Sequence, residues 1–171
     1  MHQQGFSLIE LLMGLAIAAI VLSWTGSSYK ALIESIERKD AAQLLASGLR
    51  TARNEAIARN RMVAIKGIDN DWSQGWQIFL DGDDQALLTQ RSNGARISGN
   101  GAMKRSVRFA GHGQAVWPGG AFHSGTLHVC GKREPVSHHQ VVLAPSGRVS
   151  LRSDAAEQAL CKKGLKQRAD P

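Results

Sequence analysis

The order of apolar and polar positions divides the chain into three regions. Residues 6–24 are apolar, and Glu10 is their only charged residue. Residues 29–61 carry apolar side chains at helical spacing, with charged side chains on the other faces. Beyond residue 61, short alternating runs are separated by glycine and aspartate, which is typical of β-strands. The pattern predicts an α+β fold, in which a long N-terminal helix packs on an antiparallel β-sheet head domain.

The apolar region is long enough to cross a bilayer, since 19 residues as a helix measure about 28 Å. A secretory signal peptide is one alternative, but residues 1–4 contain no lysine or arginine. A plain membrane anchor is another, in which Glu10 would cost about 2.5 kcal/mol or more unless it is paired. Because a carboxylate in this position is costly, we expect Glu10 to have a function.

The later regions can be assigned to individual elements. The apolar positions of the amphipathic helix are Leu32, Ile33, Ile36, Leu44, Leu45, Leu49, Ala52, Ala56 and Ile57. The predicted strands are 62–68, 75–80, 86–90, 106–110, 126–130, 140–144 and 148–151. Turn sequences at 81–84 and 145–147 join consecutive strands, so the sheet is predicted to be an antiparallel meander.

The N-terminal residues carry a family resemblance. Gly5-Phe6-Ser7-Leu8-Ile9-Glu10, followed by the apolar run, resembles the class III leader of type IV pilins and type II secretion pseudopilins. The resemblance implies that a prepilin peptidase cuts after Gly5 and methylates Phe6. It also implies that Glu10 pairs with the amine of a neighbouring subunit during filament assembly. The implied organisation is a leader at 1–5, a transmembrane and filament-core helix at 6–28, an amphipathic helix at 29–61 and a β-rich head with a basic tail at 62–171.

Three further motifs resemble the GspH/FimT branch of this superfamily. They are Arg53-Asn54-Glu55-Ala56, Gln74 to Phe79 with Asp81, and Ser146-Gly147-Arg148-Val149. The resemblance implies a minor pilin or pseudopilin, held in the inner membrane with a periplasmic head before assembly and in a pilus or pseudopilus afterwards. Its partners would be other pilins or pseudopilins, the prepilin peptidase and the inner membrane. The branch implies no enzyme and no cofactor.

The two cysteines, Cys130 and Cys161, would both lie on the non-cytoplasmic side of the membrane, where disulfides persist. A disulfide between them is the simpler interpretation. A metal site of Cys130 with His128, His138 and His139 is the alternative, although the adjacent histidines would point to opposite faces of a strand. The histidines are predicted to be surface or edge residues, and no metal is predicted.

The aromatic residues of the head are predicted to pack in its core and along its edges rather than to form a stacking platform. They are Trp72, Trp76, Phe79, Phe109, Trp117 and Phe122. Serines and histidines are present, but no sequence frame that activates a nucleophile surrounds them. The sequence therefore gives no support for catalysis.

Charge is distributed unevenly along the 171 residues, whose formal net charge is +7. Residues 1–90 hold 8 basic and 10 acidic side chains, whereas residues 91–171 hold 13 basic and 4 acidic ones. A basic surface suits a phosphate polyanion, so double-stranded DNA is a candidate partner. The alternative is a surface that aids solubility or meets an acidic neighbouring pilin.

DNA-binding members of the resembled branch carry a glycine-arginine-x-arginine motif. Gly147 and Arg148 match it, Ser150 replaces the second arginine, and Arg152 shares the strand face of Arg148. The DNA-binding candidates are Arg148, Arg152, Lys132, Arg133, Lys162, Lys163, Lys166, Arg168, Arg105 and Arg108. Such binding would be non-specific in sequence. Two functions follow: a type IV minor pilin that also captures DNA for transformation, or a GspH-like pseudopilin of type II secretion that does not.

Overall fold

The structure, a computed structural model, describes residues 8–92 and 94–166, and it describes no side chains at 21–28, 102 and 163–166. The helices are α1 (Leu8–Arg59), α2 (Ala159–Lys166) and a 3-10 turn at Gly101–Met103. The strands are β1 (Val63–Ile68), β2 (Asp71–Leu80), β3 (Ala86–Arg91), β4 (Arg96–Gly99), β5 (Ser106–Phe109), β6 (Ala115–Val116), β7 (Gly125–Cys130), β8 (Val136–Leu143), β9 (Val149–Arg152) and β10 (Ala156–Glu157). The chain divides into two compact units, residues 1–36 and residues 37–171.

The first unit contains the N-terminal part of α1. The leader at 1–5 and residues 6 and 7 lie outside the described residues, as do the side chains of 21–28. The large apolar side chains described between residues 8 and 20 are exposed. Of the residues that the structure describes, none form a helix both long and apolar enough to cross a membrane.

Helix α1 ends two residues before the predicted limit of 61, for a local reason. Asn60 adopts a left-handed conformation with φ of 47°. Its N–H donates to the Ile57 carbonyl at 3.2 Å, and the Arg61 N–H donates to the Ala56 carbonyl at 3.2 Å. These two bonds form a Schellman motif, which satisfies carbonyls that the helix end would otherwise leave without donors.

The second unit is the head, and one stripe of α1 forms the centre of its core. The buried residues of this stripe follow helical spacing and are mostly small: Ala41, Ala42, Leu45, Ala46, Leu49, Ala52 and Ala56. Small side chains allow the helix axis to approach the sheets closely. Trp72 and Phe109 are fully buried, and the indole N–H of Trp72 donates to the Met103 carbonyl at 2.9 Å.

Within the described residues, the strands form two antiparallel sheets rather than the predicted single meander. The first sheet has the order β3-β2-β1-β5-β6, and the second has the order β10-β8-β7-β4, with β9 also pairing with β8. The predicted order fails after β3, because the next predicted strand, β5, pairs with β1 instead of β3. Strand β4, which was not predicted, pairs with β7 in the second sheet. With only four residues, one of them buried, β4 shows too little alternation to be recognised in the sequence.

Candidate functional site

The N-terminal features centre on Glu10. Gly5 and Phe6, the predicted cleavage and methylation positions, lie outside the described residues. Glu10 lies in the first turn of α1 and is exposed. The next charged residue in the sequence is Lys30, so one carboxylate is present in a long apolar stretch of the helix.

The disulfide between Cys130 and Cys161 is present, with Cα atoms 5.5 Å apart. It joins the end of β7 to α2, and β10 also pairs with the start of β8. The segment from β10 to α2 is therefore attached to the second sheet covalently and by backbone pairing. Because the sulfur of Cys130 is in this bond, it cannot serve as a thiolate ligand in the alternative metal site.

Two of the predicted DNA-binding residues already have carboxylate partners. The ammonium of Lys132 lies 2.6 Å from a carboxylate oxygen of Glu37, and the guanidinium of Arg108 lies 2.9 Å from a carboxylate oxygen of Asp81. A phosphate would have to displace these carboxylates, so both residues are weaker candidates than the sequence indicated. Each pair joins segments distant in sequence, so no local sequence pattern indicates it.

Arg148, which directly precedes β9, and Arg152, the last residue of β9, are both exposed. Arg148 follows the turn at 145–147, and the Ala144 N–H donates to its carbonyl at 2.9 Å. Arg152 lines a cavity of about 260 Å³ whose wall also includes Asp154 and Glu157. The two carboxylates lower the positive potential at that end of β9, which leaves Arg148 as the better placed of the two for a phosphate.

The remaining candidates lie on separate elements. Arg105 precedes β5 in the first sheet, Arg133 lies in the β7–β8 turn, and Lys162 lies in α2; all three are exposed. The side chains of Lys163 and Lys166 are not described, and Arg168 lies outside the described residues. The candidates are thus divided between two sheets and a helix.

The glycine of the glycine-arginine motif has a packing role. Gly147 has φ of 78°, and a Cβ there would overlap the carbonyl of Gly113. The Arg53 Nε–H donates to the same carbonyl at 2.9 Å, and the Arg50 guanidinium donates to the Val149 carbonyl at 3.2 Å. The motif around residues 146–149 therefore joins the head end of α1 to the β8–β9 turn.

Two of the histidines are buried, contrary to the prediction that they lie on the surface or at edges. They are His123 and His128. His128 Nδ1 lies 3.1 Å from the Ser137 hydroxyl, and Gln140 donates from Nε2 to that hydroxyl at 2.9 Å. Burial lowers the pKa of His128 below its ordinary value of 6.5. The hydrogen bonds among His128, Ser137 and Gln140 satisfy these polar groups within the second sheet, so a histidine can be buried there.

Trp72, Trp76 and Phe109 are buried in the core, and the predicted edge positions are taken by Trp117 and Phe122, beside the edge strand β6. The last two are 39% and 65% exposed and flank a turn that contains Pro118-Gly119-Gly120. Nothing in the local sequence pattern distinguishes an aromatic residue beside a turn from one that is buried.

Comparison with known proteins gives a consistent picture. The family model described as "Type II transport protein GspH" matches residues 41–147, and the model described as "Prokaryotic N-terminal methylation motif" matches residues 1–25. The fold is similar to that of the Pseudomonas aeruginosa type IV minor pilin FimU. Two crystal structures of FimU give TM-scores of 0.58 and 0.60 and identities of 22% and 23%, covering 70% and 73% of this chain and 98% and 96% of theirs. A search of curated proteins finds no match.

Proposed function

The chain belongs to the GspH family of minor pilins and pseudopilins, and from this premise we propose that it is held in the inner membrane by α1 and then assembled into a type IV pilus-like filament. Its N-terminal methylation motif supports processing after Gly5 and methylation of Phe6. The alternative system is a type II secretion pseudopilus, whose subunits share the same assembly chemistry.

The observation that carries the proposal is the apolar surface of the first part of α1. The exposed large side chains are Leu8, Ile9, Leu11, Leu12, Met13, Leu15, Ile17 and Ile20. A contiguous apolar surface of this kind marks a membrane or protein contact, because leaving it in water costs about 25 cal/mol per Å². Lipid would cover it before assembly, and the helices of neighbouring subunits would cover it afterwards.

In the proposed filament, Glu10 sets the register between α1 and the helix of a neighbouring subunit. Cleavage after Gly5 would create an amine at Phe6, and an amine in a low-dielectric environment needs an opposite charge nearby. Glu10 of a neighbouring subunit can supply it. In this proposal Glu10 acts in assembly rather than in the stability of the head.

Mass spectrometry of the chain from sheared filaments tests the proposal. The expected N-terminus is Phe6 with one methyl group, whereas a chain that still begins at Met1 would contradict it. Glu10→Gln is expected to reduce the amount in filaments at least tenfold, with Glu34→Gln on the same helix as the matched control. Equal amounts in both variants would remove the assembly role of Glu10.

The surface pili and the protein export of a strain that lacks the gene distinguish the two filament systems. Loss of surface pili with normal export of secreted proteins would identify a type IV pilus component. Loss of export with normal pili would identify a type II secretion pseudopilin and overturn the pilus assignment.

Non-specific DNA binding is a second candidate function, favoured by one observation. The β8–β9 turn presents Arg148 at its exposed end, in the position of the glycine-arginine motif. Because Lys132 and Arg108 are paired with carboxylates, the proposed contact surface is smaller than the sequence predicted and centres on Arg148.

Fluorescence anisotropy of labelled duplex DNA with the full chain in neutral detergent tests this second function. Binding is expected to weaken with salt, with a logarithmic slope of about −0.9 per phosphate contact. Arg148→Ala is expected to reduce that slope by about one unit, whereas the control Arg91→Ala, on the edge of the first sheet, should leave it unchanged. Absence of binding at low salt by a folded, oxidised chain would exclude DNA capture by this subunit alone.

A further inference from the structure

The segment of residues 115–123, here called the aromatic hairpin, is a fixed turn with two exposed rings. The Trp117 N–H donates to the Ala121 carbonyl at 2.8 Å, and the Gly120 N–H donates to the Trp117 carbonyl at 2.9 Å. A further bond from the His123 N–H to the Ala115 carbonyl, at 2.9 Å, closes the base of the hairpin. These backbone bonds hold the tip in one conformation.

The rings are supported from below by buried residues. The indole of Trp117 stacks on the imidazole of His123, with ring centroids 4.3 Å apart and planes 21° from parallel. His123 is buried, and Val116, which pairs with Phe122, is buried too. Trp117 and Phe122 nevertheless stay exposed above this support. A rigid apolar tip loses little conformational freedom when a partner covers it, which favours binding.

The aromatic hairpin lies in the longest uncharged stretch of the basic half. Residues 109–131 contain no aspartate, glutamate, lysine or arginine, although residues 91–171 hold 13 basic side chains. Interface centres in proteins are depleted of charge and enriched in tryptophan and phenylalanine. Across the sheet, Arg108 pairs with Val116 of the hairpin, but its guanidinium is already bound to Asp81. The hairpin therefore favours an uncharged, apolar partner over a phosphate polyanion, which would need available cations beside the rings.

The position of the aromatic hairpin in the sheet leaves it accessible. Strand β6, which begins it, is the edge strand of the first sheet, at the opposite edge from β3. Because the hairpin itself carries no charged residue, it can approach a neighbouring head at low electrostatic cost, whereas the basic residues of this head would repel a positively charged one.

We propose that the aromatic hairpin is the anchor by which this head docks on the head of a neighbouring pilin-like subunit that presents an uncharged apolar patch. The inference rests on the proposed assembly function and names the surface that the head uses in it. Trp117 and Phe122 supply the centre of the contact, and the polar residues around them form its rim.

The first test places a photoreactive benzoyl-phenylalanine at position 122 of the full chain in cells that assemble filaments. The expected product is a covalent adduct whose partner, identified from its peptides by mass spectrometry, has its own N-terminal methylation motif. The same probe at Leu88, exposed on β3 at the opposite edge, is the matched control and should give at least tenfold less of this adduct. Adducts with lipid or saccharide alone, or no adduct from position 122, would overturn the proposal.

The second test measures how much of the full chain enters sheared filaments. Phe122→Ser is expected to reduce that amount about tenfold, whereas Leu88→Ser should leave it unchanged. Phe122 is the chosen position because its side chain is mostly exposed, and thermal unfolding of the purified variant checks that the head still folds. Wild-type amounts of Phe122→Ser in filaments would overturn the hairpin proposal alone. Absence of the wild-type chain from filaments would overturn the assembly function as well.

Discussion

The two parts of helix α1 are equally helical, but their apolar side chains have opposite environments. In residues 8–20 the leucines and isoleucines are exposed, whereas in residues 41–56 the buried stripe, with Leu45 and Leu49, is almost fully inaccessible. The difference follows from patterning. The later part alternates apolar and charged faces and buries one stripe against its own sheets, while the earlier part is apolar on all faces except at Glu10.

This comparison shows that hydrophobicity alone does not determine which partner a helix finds. The apolar stripe of the later part is buried by other residues of the same chain, in the core of the head. The earlier part needs apolar neighbours from outside the chain, which the proposed function supplies as lipid and then as other helices. Changes in the two parts should therefore affect different properties, one the stability of the head and the other its assembly.

The largest expected effect is a charge in the buried stripe. Leu49→Asp is expected to lower the free energy of unfolding of the head by about 5 kcal/mol or more, because it buries an unpaired carboxylate. Leu15→Asp, in the exposed part, should leave head unfolding unchanged while preventing entry into filaments. Chemical denaturation of both variants in detergent measures this difference, and equal destabilisation would contradict the separation of the two parts.

Removal of the disulfide should have the next largest effect on the head. The cysteines are 31 residues apart, and loss of that loop constraint is expected to cost about 3 to 4 kcal/mol in the Cys130→Ser/Cys161→Ser variant. The melting temperature of the head measures it. An unchanged melting temperature would show that pairing of β10 with β8 is sufficient to hold the C-terminal segment.

Gly147→Ala separates the packing role of the motif glycine from its backbone conformation. A side chain at this left-handed position costs about 1 to 3 kcal/mol, and overlap with the Gly113 carbonyl adds to the cost. Gly82→Ala is the matched control, since Gly82 has φ of 93° and no atom within 4 Å of a built Cβ. If both variants unfold at the same temperature, the contact between Gly147 and Gly113 contributes nothing.

Acidification should destabilise the head by the smallest amount. Burial lowers the pKa of His128 and of His139, and His138, Arg38 and Lys39 lower that of His139 further. The unfolded chain therefore takes up protons near pH 6.5 that the folded head takes up only at lower pH, so stability falls as the pH drops below 6.5. Thermal unfolding between pH 7.5 and 5 should show this decline, with a shallower slope in His128→Gln. A melting temperature that rises on acidification would contradict it.

Much of the fold could be predicted from the sequence because its signals are local. The helix pattern, the alternation in β1, β2, β5 and β7, and the turns at 81–84 and 145–147 depend on neighbouring residues. By contrast, β6 and β10 have two residues each and exist only because another strand pairs with them. The division into two sheets has the same cause, since β4 is placed by its long-range pairing with β7.

The candidate site could be predicted only in part, for a related reason. The apolar stretch, Glu10 and the two cysteines can be identified from the residue types in the sequence alone. Whether a lysine is available to a ligand depends on what folds beside it, and Lys132 meets Glu37 across 95 residues of sequence. The exposure of Trp117 and Phe122 likewise depends on the sheet edge where they lie.

The most direct test of the central claim is the accessibility of one engineered thiol in the exposed part of α1. Among the described residues both cysteines are in the disulfide, so Ile17→Cys would supply a single reactive thiol for a water-soluble maleimide. The account predicts that it is protected in intact filaments and reacts after they are dissociated, while the control Thr89→Cys on β3 reacts in both. Equal labelling of the two positions in intact filaments would contradict the claim that neighbouring helices cover this part of α1.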